Sequence, residues 1–312
     1  MHKDISAQTE SYRKLIPGIE EVLIPVFLCL FELISRTTTA ACFQHLAAAV
    51  QIIALRGPEN CKDCLAQQMF RSMRVSEARI SIFSGKPSVF AARWWRTLLF
   101  LGTEKPPLHR LVDIMLFIPL CLGLSGQEIP LLQQITNLAT SSTREVGLQE
   151  RTMQLLAEVQ DWWTEYETSM RGVDPAPEYR SPYRADDEQP SFVFFDTFTA
   201  LTVSMYNATT VILQTILHVL SIRDSPAFLT SDRLFEKSHL DHVLSHCTSI
   251  LQISPFHEDQ CPVGFDIMCG AFPLKIVAIM SPDLEQRAKA VVTISKWNGL
   301  GLSYILKSEL GS

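Results

Sequence analysis

The residues most able to do chemistry are polar side chains on one stretch of chain that carries no formal charge. Residues 197–222 contain no Asp, Glu, Lys or Arg, which predicts a helix buried at the centre of the fold. At about 100° per residue, a polar stripe falls within about 40° of arc on this helix: Asp196, Asn207, Gln214 and His218, with Thr210 beside them. Buried polar groups need hydrogen-bond partners. The stripe therefore either pairs with other side chains and water, or lines a cavity that binds a ligand.

If the stripe lines a pocket, hydrogen-bond donors would orient a ligand carbonyl and aromatic rings would cover the apolar part of the ligand. We expect the donation to come from Tyr206, Asn207 or His218. Trp94-Trp95, Trp162-Trp163 and residues 192–195 supply aromatic surface, although such rings are core residues more often than ligand contacts. No catalytic residue is assigned. The predicted ligand-binding residues are Trp94, Trp95, Asp196, Tyr206, Asn207, Thr210, Gln214, His218, His242 and His246.

Histidine and cysteine clusters suggest metal or thiol chemistry less strongly. His239, His242 and His246 fall within about 60° on one predicted helix, but imidazoles on two turns of a single helix seldom converge on one ion. We interpret them as residues at the edge of the core. Cys61 and Cys64 fall in the first turn of another predicted helix, where the helix dipole would lower a thiol pKa. Two thiols are half of the ligands that a structural zinc needs, so we expect no metal and no cofactor.

The sequence lacks the motifs of several common enzyme classes. GxSxG, HExxH, a paired-glycine dinucleotide loop and an aspartate-rich prenyl-diphosphate motif do not occur in it. The GKPS run at residues 85–88 has neither the leading glycine nor the strand-to-helix context of a phosphate loop. Hydrolase, nicotinamide-dependent and ionising terpene-cyclase activities are therefore disfavoured.

The elements that must position these residues are helices. Apolar residues recur at helical spacing almost throughout and hardly ever alternate, so the predicted class is all-α. We predict one large multi-helix domain over residues 1–312, in which a long surface loop (171–190) separates an amino-terminal half (1–170) from a carboxyl-terminal half (191–312). Arg56-Gly57-Pro58 should end one helix, and Ser231-Asp232 and Pro282-Asp283 should begin two others. The predicted helices cover residues 18–35, 40–55, 60–83, 108–124, 129–139, 144–170, 191–222, 232–253, 265–279 and 283–307.

Composition narrows the class of protein and its partners. The 312 residues are 47% hydrophobic and 19% charged, which is typical of a protein with a large core and not of a disordered chain. A net charge of −6 disfavours nucleic-acid binding. Eight dispersed cysteines and a polar start favour an intracellular location, cytoplasmic or nuclear. Residues 22–31 and 111–124 are shorter than the ~20 residues of a membrane span, and 197–222 holds polar groups that lipid would not satisfy, so we expect no membrane contact.

The stretch from His45 to Glu59, HLAAAVQIIALRGPE, resembles the helical regulatory domain of fungal zinc-cluster transcription factors, where a helix of the form H-L-x-G-A ends in L-R-G-P. The likeness continues through FRSMR at 70–74, GKPS at 85–88 with tryptophan following, and FPL at 272–274. This resemblance implies an all-helical domain that responds to small molecules and contacts other proteins. It also implies a structural role for His45 and the 56–59 corner, where we expect Arg56 to pair with Glu59. No six-cysteine zinc cluster precedes Cys29, so we expect no direct DNA binding.

Two functions of different classes are open at this point. The first is a stand-alone regulatory domain without a DNA reader, which binds an apolar small molecule, acts through other proteins or as a homodimer, and regulates fungal secondary metabolism. The second is a cofactor-independent enzyme of secondary-metabolite biosynthesis: a cyclase, isomerase or pericyclase such as a Diels-Alderase, acting on a terpenoid or polyketide. Orientation and one hydrogen bond to a carbonyl can accelerate such steps without leaving a motif. Turnover separates the two, since a sensor returns its ligand unchanged; a truncated product without activity is a third interpretation.

Overall fold

The computed structural model describes residues 16–35, 39–122, 130–140, 147–171, 196–223, 237–260 and 265–297. Within these ranges the chain forms eleven α-helices and four short 3-10 turns, with no strand, which confirms the all-α class. The predicted loop and the Ser231-Asp232 helix start lie outside the described residues, apart from Arg171, so the one-domain organisation stays a prediction. The helices are α1 (Ile19–Ser35), α2 (Thr39–Arg56), α3 (Cys64–Ser84), α4 (Arg93–Thr97), α5 (Pro107–Met115), α6 (Leu131–Thr140), α7 (Leu148–Arg171), α8 (Thr197–Arg223), α9 (Lys237–Gln260), α10 (Phe265–Met280) and α11 (Leu284–Trp297).

The helices group into two compact units, of which the first comprises residues 1–80 and 88–105. It contains α1, α2, α4 and most of α3. Its core is aromatic. Phe70 stacks on Trp95 with 5.3 Å between the ring centroids and meets Phe90 edge-on at 5.2 Å. All three rings are buried, so they supply much of the apolar surface that stabilises this unit.

The second unit, residues 81–87 and 106–312, is built around α8. Helix α8 contacts α5, α6, α7, α9 and α10, and every residue from 200 to 213 is buried. This confirms the prediction of a central helix. Among the described residues, α8 is also the one helix long and apolar enough to cross a membrane, over Thr197–Ser221, and 83% of its apolar window is buried inside the protein. Its composition therefore matches a position in the protein core.

Side chains and one glycine determine where several helices begin and end. Asp283 accepts a hydrogen bond from the Glu285 amide at 2.9 Å and starts α11, as Pro282-Asp283 predicts. Asp63 caps α3 in the same manner. After α2, Gly57 adopts a φ of 75°, a backbone conformation that glycine reaches without a steric penalty. The predicted stop at Arg56-Gly57-Pro58 is therefore confirmed.

Helix α9 differs from the prediction in that it continues to Gln260, past the predicted end at residue 253, with Pro255 inside it. Three other elements differ for identifiable reasons. The helix predicted over 108–124 ends at Met115, and a 3-10 turn follows over Ile118–Cys121, because Pro119 has no amide hydrogen with which to continue an α-helix. The helix predicted from residue 60 begins at Cys64, since Pro58–Asn60 forms its own 3-10 turn. Helix α4 has only five residues, too few to show a helical period in the sequence.

Candidate functional site

The centre of the candidate site is a hydrogen bond between two predicted residues on neighbouring helices. Asn207 of α8 and His246 of α9 are both buried, and 2.7 Å separates His246 Nδ1 from Asn207 Oδ1. The Asn207 amide nitrogen donates to the Val203 carbonyl at 2.8 Å, so the amide oxygen faces the imidazole. Because a carboxamide oxygen only accepts hydrogen bonds, the proton of His246 lies on Nδ1.

Burial keeps His246 neutral. Desolvation lowers its pKa to about 4, and repulsion from His242 adds to the lowering. His242 itself lies one turn earlier on α9 and is exposed. At neutral pH, His246 is therefore an uncharged hydrogen-bond donor at Nδ1 and not a cation.

Four aromatic rings accompany this pair. Tyr206 of α8 stacks on Trp163 of α7 with 4.1 Å between ring centroids and 15° between planes. The Tyr206 ring also meets the His246 imidazole edge-on at 5.9 Å. On α7, Trp162 stacks on Tyr166 at 5.0 Å. We call the following six buried residues the Tyr206 cluster: Trp162, Trp163, Tyr166, Tyr206, Asn207 and His246.

Contacts outside the cluster hold the two flanking helices in place. The Trp162 indole N–H donates to the Pro107 carbonyl at the start of α5, at 3.0 Å. On α9, Glu258 accepts from the Trp297 indole of α11 at 2.9 Å. Helices α7 and α9 are thus tied to α5 and α11, and the geometry of the cluster does not depend on its own contacts alone.

Asp196 and Tyr166 set the electrostatics near the start of α8. Asp196 is exposed and caps the helix, since its carboxylate accepts from the Thr199 amide at 2.7 Å. Burial raises the pKa of Tyr166 to about 12, the Asp196 carboxylate adds to this, and a hydrogen bond with the Thr199 side chain opposes it. The phenol of Tyr166 is therefore protonated at neutral pH.

Threonine hydroxyls on α8 bond to their own helix. The Thr210 hydroxyl donates to the Tyr206 carbonyl at 3.0 Å, one turn earlier. Thr202, Thr209 and Thr215 make the same bond to the carbonyl four residues before them, each at 2.7 Å. The hydroxyl of Thr210, a predicted ligand contact, is thus satisfied within α8.

The far end of the stripe contains a buried acceptor. Gln214 lies two turns beyond Asn207 on the same face of α8, and its Oε1 is buried and accepts no hydrogen bond in the part of the chain that the structure describes. His218, one turn further, is also buried. Gln214 therefore offers a carbonyl oxygen to which a ligand hydroxyl or amine could donate.

The predicted tryptophans of the first unit lie in other surroundings. Trp95 packs against Phe70 and Phe90 in the aromatic core of that unit. Trp94 is 56% exposed. A role for either ring in binding a ligand stays a prediction.

The structure brings Tyr206, Asn207 and His246 together and adds three aromatic residues of α7. The sequence marks Trp162 and Trp163 as aromatic surface but does not place them, or Tyr166, beside α8. A usable signal was the spacing WWxxY, which puts all three rings within about one helical turn.

The predicted thiol and histidine chemistry has a mixed outcome. Cys61 is buried before α3 begins, whereas Cys64 is exposed at the first position of the helix. Burial raises the pKa of Cys61, so the expected lowering by the helix dipole is wrong for this thiol. The side chain of His239 lies outside the described residues. Over the ranges that the structure covers, no three His, Cys, Asp or Glu side chains converge as a metal site.

Comparison with known protein families shows what kind of chain carries this cluster. The model of the fungal specific transcription factor domain matches residues 3–295. The chain belongs to this family. No curated protein and no solved structure gives a match. Membership in the family supports a regulatory role for the protein.

In this transcription factor domain, the residues that carry the sequence resemblance are structural. Phe70 lies in the aromatic core of the first unit. Ser88 accepts from the Phe90 amide at 3.1 Å and caps the turn Val89–Ala91. Phe272 of α10 meets Phe83 edge-on at 5.5 Å. These motifs therefore identify the fold of the family and not a chemical activity.

The family corner at residues 56–59 is held differently from our expectation. The Arg56 guanidinium donates to the carbonyls of Pro17 and Asn60, and its ion pair is with Asp63 at 3.9 Å. The expected pairing with Glu59 is wrong, because the 3-10 turn brings the Asn60 carbonyl to the guanidinium instead of the Glu59 carboxylate. The corner still has the structural role that the resemblance implies, since Arg56 joins the end of α2 to the start of α3.

Proposed function

We propose that this fungal transcription factor domain is an intracellular sensor, cytoplasmic or nuclear, which binds an apolar small molecule at the Tyr206 cluster and acts through protein partners in the regulation of secondary metabolism. The observation that carries the proposal is the family match over residues 3–295. A sensor needs binding and no turnover, so it requires no nucleophile, metal or general base.

The hydrogen bond between Asn207 and His246 suits reversible ligand binding. Without a ligand, each group satisfies the other inside the core. A ligand carbonyl that accepts from His246 Nδ1 replaces the bond to Asn207, and the freed Asn207 Oδ1 must then accept from a donor group of the ligand to avoid a penalty of about 1–3 kcal/mol. Tyr206 and Trp163 are stacked on each other and buried, so the apolar part of a bound ligand would pack against the outer faces of this stack.

Gln214 supplies a further constraint on the ligand. Its buried Oε1 lacks a donor in the described structure, and burial of an unsatisfied acceptor costs about 1–3 kcal/mol. Gln214 lies seven residues after Asn207, which corresponds to a rise of about 10 Å along α8. The proposed ligand therefore carries a carbonyl near His246 and a hydroxyl or amine about 10 Å away, on a skeleton the size of a polycyclic or polyene metabolite.

The test is co-purification followed by incubation. Protein from a host that expresses the neighbouring biosynthetic genes is extracted with organic solvent, and mass spectrometry identifies the compounds it carried. We expect one enriched metabolite, which is recovered unchanged after incubation with fresh protein. Conversion into a second compound would favour the enzymatic alternative, and no enrichment would refute the proposal.

Variants of α8 locate the binding. Gln214→Leu removes the buried acceptor without breaking an internal hydrogen bond, and we expect it to reduce the amount of bound metabolite about tenfold. The matched control is Thr215→Val, the next residue, whose hydroxyl bonds only to its own helix. Equal loss in both variants would show that the effect is not specific to Gln214.

A further inference from the structure

Two cysteines of the first unit face each other at short distance. Cys29 of α1 and Cys42 of α2 are buried free thiols, and 2.8 Å separates their Sγ atoms. A disulfide bond is about 2.05 Å long, so the two sulfurs need to approach by less than about 1 Å to form one. The pair is thirteen residues apart in sequence and is no CxxC motif.

The helices that carry the thiols are packed against each other. Helices α1 and α2 are in direct contact and are connected by residues 36–38 alone. A bond between Cys29 and Cys42 would therefore close a short loop and fix the packing of one helix on the other. Neither thiol belongs to the Tyr206 cluster, so this inference does not rest on the proposed function.

The surroundings make the two thiols unequal. The hydrogen bond from Cys29 lowers the pKa of Cys42, and the Arg79 guanidinium lowers it further, against the opposing effects of burial and the Glu32 carboxylate. The same hydrogen bond raises the pKa of Cys29, as do burial, Cys42 and Glu32. Cys42 is therefore the thiol that ionises first, and the thiolate is the reactive form of cysteine.

We propose that Cys29 and Cys42 form a redox-responsive dithiol, which hydroperoxides oxidise to a disulfide that locks α1 onto α2. Cys42 loses its proton and its thiolate attacks one oxygen of hydrogen peroxide. The O–O bond breaks, Cys42 becomes a sulfenic acid, and the leaving hydroxide takes up that proton to form water. The Cys29 sulfur then attacks the Cys42 sulfur, the S–O bond breaks, and the hydroxyl leaves with the Cys29 proton as a second water. The two thiols lose two electrons and two protons, and one peroxide becomes two waters.

A buried cysteine without a neighbouring thiol should not form this disulfide, and Cys121 is such a residue. Cys121 is equally buried, and burial raises its pKa, while its hydrogen bond is with Thr152 and not with a second sulfur. Cys121→Ser is therefore the matched control for Cys42→Ser.

The test is peptide mapping of the full-length protein. Wild-type protein is treated with hydrogen peroxide, remaining thiols are blocked with N-ethylmaleimide, and the protein is digested without reductant for mass spectrometry. We expect a cross-linked peptide that joins Cys29 to Cys42, an intact mass lower by two hydrogens when it is measured before the blocking step, and reversal by dithiothreitol. Cys121→Ser should keep the cross-link and Cys42→Ser should lose it.

Two results would overturn the proposal. The first is a wild-type peptide map, after peroxide treatment, that shows no cross-linked peptide or shows only a cross-link between Cys61 and Cys64. Because this result comes from the wild-type protein, it tests the proposal even if Cys42→Ser fails to fold. The other concerns the lock itself. We expect amide hydrogen exchange in α1 to slow about tenfold on oxidation, because opening of α1 away from α2 is hindered. Unchanged exchange in a protein shown to be cross-linked would contradict the lock.

Discussion

Lowering the pH from 7 to 5 should destabilise the folded protein through His246. The pKa of this histidine is about 4 in the folded protein, against 6.5 for an ordinary histidine. Between these values the unfolded chain takes up a proton that the folded protein does not, so stability falls as the pH falls. Over this range, the free energy of unfolding falls by about 1.4 kcal/mol for each unit by which the pH is lowered. The loss of stability amounts to about 2 kcal/mol at pH 5 and about 3 kcal/mol at pH 4, and it levels off at about 3.4 kcal/mol at lower pH.

Urea unfolding at pH 7 and pH 5, followed by tryptophan fluorescence, measures this contribution. His246→Gln keeps an N–H group that can donate to Asn207 but does not titrate. We expect this variant to lose about 2 kcal/mol less than the wild type between the two pH values. His242→Gln is the control on the same helix, and it should keep most of the pH dependence because burial is the larger cause of the lowered pKa. Equal losses in His246→Gln and wild type would show that His246 is not a buried neutral group.

Other substitutions test single contacts by urea unfolding. Asn207→Leu leaves the His246 Nδ1–H without its acceptor and should lower the free energy of unfolding by about 1–3 kcal/mol. The control Thr209→Val removes only a hydrogen bond within α8 and should lower it by less than about 1 kcal/mol. Equal losses would contradict the hydrogen bond between Asn207 and His246. Gly85→Ala should cost about 1–2 kcal/mol, since φ is 62° there, and an unchanged stability would show that the turn relaxes. Asp283→Ala should cost about 1 kcal/mol and speed amide exchange in the first turn of α11, and uniform exchange along the helix would speak against a cap.

Much of the helical scaffold could be predicted because its signals are local. The absence of charge over 197–222 predicts the central position of α8, since an exposed helix would carry charged residues on its outer face. Gly57 and Asp283 predict the end of α2 and the start of α11 through backbone conformation and capping. The overlong prediction for α5 has a local cause as well, because Pro119 interrupts an otherwise apolar run.

The candidate site was less predictable because its contacts join distant parts of the chain. Asn207 and His246 are conspicuous by residue type, but they are 39 residues apart and meet only because α9 packs on α8. Helical periodicity gives the face of a helix and not its neighbour. For the same reason, the sequence does not predict the stacking of Trp163 on Tyr206 or the pairing of Cys29 with Cys42.

The threonine hydrogen bonds within α8 affect how freely the sequences of the surrounding helices can change. Because their hydroxyls are satisfied by carbonyls of the same helix, the helices packed around these positions need to offer shape and apolar surface there and no complementary polar group. Apolar residues of similar volume exchange at modest cost in a core. The sequences of the neighbouring helices can therefore change while α8 remains the central helix of the unit. Pairwise similarity between members of the family is then expected to fade sooner than the shared pattern of apolar positions.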